Sequence, residues 1–248
     1  MMNKIVLEKK ANDFRTNNGL GQKDSINLKS FLSKLNVLTL FKPLGESFSG
    51  MSIKIEKENS IHRFILINSS HSIGKQNFTI CHELYHLFIQ DDFNSMYCNT
   101  GLFPKSGGEE LNADIFSSNL LLPEYGLISM VPDEELKKNK ITIKTILKIE
   151  QYFMCSRAAL LYRLKDLNII DGTGYEKFKG GVKLSALLHG YDTSIYDDGN
   201  HNLVVGDYGT LARELFINNK ISESYYHSLL LDLGMDMNII ESLQGGEE

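Results

Sequence analysis

At 248 residues the chain can bury one large core or two to three small ones, and 42% apolar with 23% charged residues is an ordinary globular balance. The 31 acidic residues outnumber the 26 basic ones for a net charge of -5, which argues against a protein whose main task is coating nucleic acid. The apolar stretches, such as Phe64–Ile67 and Leu120–Leu122, are far too short to cross a bilayer, and lysines and an acidic residue break the opening run before a signal-peptide core forms.

In chain order, residues 1–20 are expected to form a helix ending near Asn18-Gly19. Leu28, Phe31, Leu32 and Leu35 recur at helical spacing behind a cap at Ser25. Val37–Phe41 is a short apolar run closed by Pro43 and Gly45. Met51, Ile53 and Ile55 alternate with Ser52, Lys54 and Glu56, the pattern of a strand with one solvated face. The continuously apolar Phe64–Ile67 reads as a central strand. A turn-rich Asn68–Gly74 leads into a helix over about residues 75–89, and a loop is expected from Asp91 to Gly108. The next helix runs from Glu109 to about Leu122, where Pro123 stops it.

Pro132 marks a boundary. Beyond it Ile143, Ile146, Leu147 and Phe153 share a helix face, Met154–Ser156 make a turn, and a second helix runs from Arg157 to about Leu167. That is the outline of a helix-turn-helix. Gly172–Gly209 holds eight of the chain's 20 glycines, so a loop-rich small unit is expected there, closed by helices over Leu211–Phe216 and Tyr225–Leu233. The last residues, Gly245–Glu248, are expected to fray. Three cysteines, Cys81, Cys98 and Cys155, are an odd count in unrelated contexts, which fits reduced thiols in a cytoplasmic protein.

The chemistry lies in residues 82–86, His-Glu-Leu-Tyr-His. Positions i and i+4 of a helix share a face about one turn apart, so His82 and His86 can meet one metal ion, and Glu83 can reach water on that ion without ligating it. A catalytic zinc needs one more protein ligand and an open position. Asp91 and Asp92 lie too close along the chain to fold back over the same face, and Cys98 as a further strong ligand would tend to close the site. Glu110, at the start of the next helix, shares a face with Asp114 at i+4. The natural assignment makes Glu110 the ligand and Asp114 the acceptor for a ligand histidine's second ring N–H. Glu109, one position off that face, stays the alternative. His71 and Tyr85 are weak candidates for an added transition-state donor.

Glu110-Leu-Asn-Ala-Asp114 resembles the Glu-x-x-x-Asp second helix of gluzincin metallopeptidases. More closely, the chain resembles the ImmA/IrrE family of metallo-endopeptidases. The segments that carry the resemblance are Ala11–Arg15, Phe48–Ser52, Phe64–Asn68, Gln76–His86, Asn112–Phe116 and Leu120–Pro123, with a weaker continuation over Tyr152–Ile170. Two departures stand out. Position 112 is Asn where relatives often carry Glu, which leaves Glu110 the better ligand. Position 85 is Tyr where relatives often carry Gly, which alters access to the metal face.

The expected fold is therefore α+β: a zincin-like metallopeptidase unit over residues 1–130, a helical helix-turn-helix-like module over 131–171, and a small C-terminal unit over 172–248. The expected activity is zinc-dependent endopeptidase, with Glu83 as general base and His82, His86 and Glu110 as ligands; manganese or iron would satisfy the same donors. Met51, Ser52 and Ile53 are expected to lie at a sheet edge, where an extended substrate pairs as an added strand, with Tyr85 nearby. The resemblance implies a regulatory protease whose substrate is a helix-turn-helix repressor.

The alternative is a non-proteolytic metal-binding regulator that binds DNA or a partner protein. In it Arg157, Tyr162, Arg163 and Lys165 would face a DNA groove. Leu160, Leu161, Leu164 and Leu167 can equally pack this unit onto the peptidase domain, and without a basic excess we favour packing.

Overall fold

A computed structural model describes residues 2–57, 60–91, 93, 95–99, 108–137 and 140–236. Its elements are α1 (Lys4–Asn17), α2 (Leu28–Lys34), β1 (Val37–Lys42), β2 (Phe48–Lys57), β3 (Ser60–Asn68), α3 (Ile73–Phe88), β4 (Ser95–Asn99), α4 (Gly108–Leu121), α5 (Glu124–Met130), α6 (Asp133–Lys137), α7 (Ile143–Phe153), α8 (Arg157–Asp166), α9 (Gly172–Phe178), α10 (Val182–Leu188), β5 (Val204–Val205), α11 (Tyr208–Ile217) and α12 (Glu223–Asp232). This is a mixed α+β fold with one small sheet and many helices, consistent with a zincin-like domain. The expected fraying of Gly245–Glu248 lies outside the described residues. No helix among the described residues is long and apolar enough to cross a membrane.

Local chemistry explains the helix starts. Asn3, Asn27, Thr142 and Ser156 each accept a backbone N–H from the first turn of α1, α2, α7 and α8. The cap of α2 is thus Asn27 rather than Ser25. Met154 ends α7 in the left-handed region at φ 52°, which turns the chain sharply enough for Ser156 to cap α8 two residues later.

The sheet order is β4-β2-β3-β1-β5. β1 runs parallel to β3, whereas β2 is antiparallel to both β3 and β4. This corrects the expectation of an edge at Met51–Ile53. Gly50–Ile53 pair with Phe64–Ile67 on one side and Ser95–Cys98 on the other, so β2 is interior there. The covering strand comes from the segment read as a loop over Asp91–Gly108. Likewise β5, from the glycine-rich stretch, pairs with β1 through Thr39↔Val205 and Leu40↔Val204.

One core runs through the assembly. Leu7 and Phe14 of α1, Phe31 and Leu32 of α2, Ile65 and Ile67 of β3, Ile80 and Leu84 of α3, and Phe116 and Leu120 of α4 are all buried in it. Ile146, Ile149 and Phe153 of α7 and Leu160, Leu161 and Leu164 of α8 belong to the same cluster. Gly74 shows how closely the parts meet. A Cβ there would come within 2.7 Å of the Ser156 backbone nitrogen and 2.8 Å of the Cys155 carbonyl carbon. The α7–α8 turn therefore rests directly on the first turn of α3.

The arginines of α8 confirm that this hairpin packs inward. Arg157 is 3% exposed and pairs with the fully buried Glu150, whose Oε2 also accepts from the Tyr196 hydroxyl at 2.6 Å. Arg163, 1% exposed, donates to the carbonyl of Leu122 and to Asn119 Oδ1. Two of the four side chains considered for a DNA groove are thus committed to the interior, and only Tyr162 and Lys165 stay on the surface. A guanidinium stays buried where carboxylates and carbonyls satisfy its fork, so charge alone does not place an arginine outside.

Candidate active site

The site rests on two helices, α3 and α4, which pack along each other. The first turn of α3 is held through Gln76. Its Nε2 donates to the carbonyls of His71 at 2.7 Å, Gly199 at 3.0 Å and Ser69 at 3.2 Å, while Asn200 Nδ2 donates to its Oε1 at 2.9 Å. The segment after the 3-10 turn at Ser194–Tyr196 thereby straps the start of α3 to the end of β3. The second half of α3 is buried from Thr79 through Leu87, which includes both histidines and the glutamate between them.

His82, His86 and Glu110 each present a ligand atom within 4.8 Å of the other two. His82 Nε2 lies 3.3 Å from Glu110 Oε2, and His86 Nε2 lies 3.5 Å from Glu110 Oε1. The opposite ring nitrogens have acceptors of their own: Asp114 Oδ1 at 3.1 Å from His82 Nδ1, and Gln90 Oε1 at 2.5 Å from His86 Nδ1. A carboxylate and an amide oxygen only accept, so both Nδ1 atoms donate and both Nε2 atoms are left to face Glu110. Both Nε2 atoms and the Glu110 carboxylate then face one another. The buried His86 Nε2 has no hydrogen-bond partner. Such a donor set fits a divalent cation of the zinc type.

The electrostatics agree. Burial, then the neighbouring His82, pushes His86 down to about 4, so it is neutral at physiological pH. The His82 imidazole holds the Glu110 carboxyl below its usual range, which keeps it ionised. His86 must therefore lower stability in acid. An unfolded chain takes up this proton near the ordinary histidine value of about 6.5, whereas the metal-free folded chain resists it until about 4. Stability of the metal-free protein should be full above pH 6.5 and fall by roughly 3 kcal/mol as the pH drops to 4. Urea unfolding of His86→Gln beside the native sequence would check this. An equal acid loss in both would assign it elsewhere.

The remaining sequence candidates separate cleanly. Glu83 is fully buried, and Ser52 Oγ donates to its Oε2 at 2.6 Å. Ser52 thus faces α3, whereas Met51 and Ile53 alternate to the opposite face, away from Glu83. Glu109 is occupied, accepting from the Tyr85 hydroxyl at 2.6 Å and from Asn112 Nδ2 at 3.3 Å. Tyr85 is wholly buried, and burial and the Glu109 carboxylate push its phenol well up. Neither a substrate contact nor a transition-state donor is available from it. His71 precedes α3 and bonds the Glu46 carbonyl, far along the helix from His82. Asp92 lies outside the described residues, as does the side chain of Cys98. Gln90 was missed, although its i+4 spacing from His86 was the available signal.

A family model described as the IrrE N-terminal-like domain, a peptidase family, matches residues 32–165. The chain belongs to the ImmA/IrrE family of metallopeptidases. No curated protein matches the chain. The ImmA/IrrE match spans α3, α4 and the hairpin of α7 and α8, which agrees with the shared core these helices form. It leaves out α1, although α1 packs against α4.

Proposed function

We propose that the chain is a zinc-dependent endopeptidase with a regulatory role. The convergence of His82 Nε2, His86 Nε2 and a Glu110 carboxylate oxygen within 4.8 Å supports this most directly, because such a donor set can hold a divalent cation. His82, His86 and Glu110 would hold the ion, which when bound supplies a Lewis acid that acidifies water and polarises a peptide carbonyl. Glu83 takes the proton from the attacking water and hands it to the leaving nitrogen. Asp114 and Gln90 hold the two imidazoles in the tautomer and orientation that ligation requires. The buried wall of α3 limits water around these charges, which strengthens each interaction.

The family's repressor specificity leads us to a helix-turn-helix repressor as substrate. β2 is covered on both sides beside Glu83, so an added substrate strand would use the outer edge of β4. In this reading α7 and α8 buttress the metal-site unit, and they do not read DNA.

Chelation tests the proposal. The zinc-loaded protein, incubated with candidate helix-turn-helix repressors from the same organism, should cut one of them into discrete fragments. Treatment with 1,10-phenanthroline should reduce cleavage to background, and added zinc should restore it. Cleavage that persists without metal would reject the assignment.

A further inference from the structure

β2 and Glu83 meet closely. Gly50 and Ser52, two apart on β2, point at the same turn of α3. At Gly50 the approach leaves no space for a side chain: a Cβ would lie 2.7 Å from Thr79 Cγ2 and 3.2 Å from Glu83 Oε1. At Ser52, fully buried, a hydroxyl sits 2.6 Å from Glu83 Oε2. One oxygen of the carboxylate is thus bounded by glycine and the other is held by a donor. A buried carboxylate with several rotatable bonds needs such restraint to keep one rotamer. Interior pairing of β2 with β3 and β4 fixes where the hydroxyl stands.

We propose that Ser52 is a positioning residue for Glu83. Its hydroxyl locks the carboxylate in the orientation from which it exchanges protons with the attacking water, while Gly50 provides the clearance that lets β2 come this close. The catalytic consequence rests on the reading of Glu83 as general base; the positional contact does not. Serine suits the task because its rotating O–H donates to the carboxylate without adding charge beside the metal ligands. This role replaces the substrate contact expected of Ser52.

The test combines carbon-13 NMR with kinetics. Protein labelled at the glutamate carboxyl carbon, with Glu83 assigned by its loss in Glu83→Gln, is compared across Ser52→Ala, Ser52→Cys and Ser52→Thr. Ser52→Ala should shift the Glu83 resonance and lower kcat for repressor cleavage roughly ten- to hundredfold. KM and zinc content should stay within about twofold, since neither binding nor ligation uses this hydroxyl. Ser52→Thr should restore both readouts. Should Ser52→Ala fail to fold, Ser52→Cys, of similar size but a weaker donor, should show the same changes in smaller measure. An unmoved resonance with native kcat in a folded Ala or Cys variant would overturn the proposal. Absence of cleavage by the native protein would reject the peptidase reading alone, and the resonance would then decide Ser52 by itself.

Discussion

Glu83→Gln should lower kcat for repressor cleavage by roughly 10²–10⁴-fold while zinc content and thermal midpoint remain close to native. The substitution is nearly isosteric, which matters because Glu83 has no exposed surface. The glutamine amide oxygen can still accept the Ser52 hydroxyl, so the contact between β2 and α3 survives. What it cannot do is take a proton. A structural metal site would not notice this change, and a hydrolytic one cannot ignore it. Full activity would place the base elsewhere. Loss of zinc would make Glu83 a ligand, contrary to the three-residue cluster. An inactive, metal-bearing variant would also serve as a trap, retaining the substrate that the native protein cleaves and releases.

The parts legible in the sequence are those whose signal is local. Histidines at i and i+4 meet on any helix, and Glu110 with Asp114 repeats that spacing on α4. Proline stops and apolar periodicity located α3, α4, α7 and α8 to within a few residues. What failed depends on distant partners. β4 is a five-residue strand whose existence comes from pairing with β2, and β5 has only two residues against β1. Strands so short carry little propensity of their own. The same limit applies to Ser52. Alternation placed it on the polar face of β2, but polar did not mean solvated: that face meets Glu83. The burial of Arg157 and Arg163 is likewise set at a distance, since each finds acceptors on other elements.

Between the adjacent acids of α4, Glu110→Ala should abolish stoichiometric zinc and Glu109→Ala should retain it. One ligand in three of a site binding with roughly 10–16 kcal/mol is worth on the order of 4 kcal/mol, about a thousandfold in affinity. Elemental analysis after dialysis against a weak chelator would read this directly. The two residues differ only in where their oxygens are committed. Glu110 stands within 3.5 Å of both imidazole Nε2 atoms, whereas Glu109 accepts from Tyr85 and Asn112. Removing Glu109 leaves the buried Tyr85 hydroxyl without its acceptor, so that variant should lose about 1–3 kcal/mol of stability while keeping its metal. Tyrosine at position 85 and asparagine at 112 act together here: both donate to Glu109 and commit its oxygens, which is why we assign ligation to Glu110. Zinc lost from Glu109→Ala in a folded protein, with Glu110→Ala still loaded, would invert the assignment and move the ligand one residue toward the start of α4.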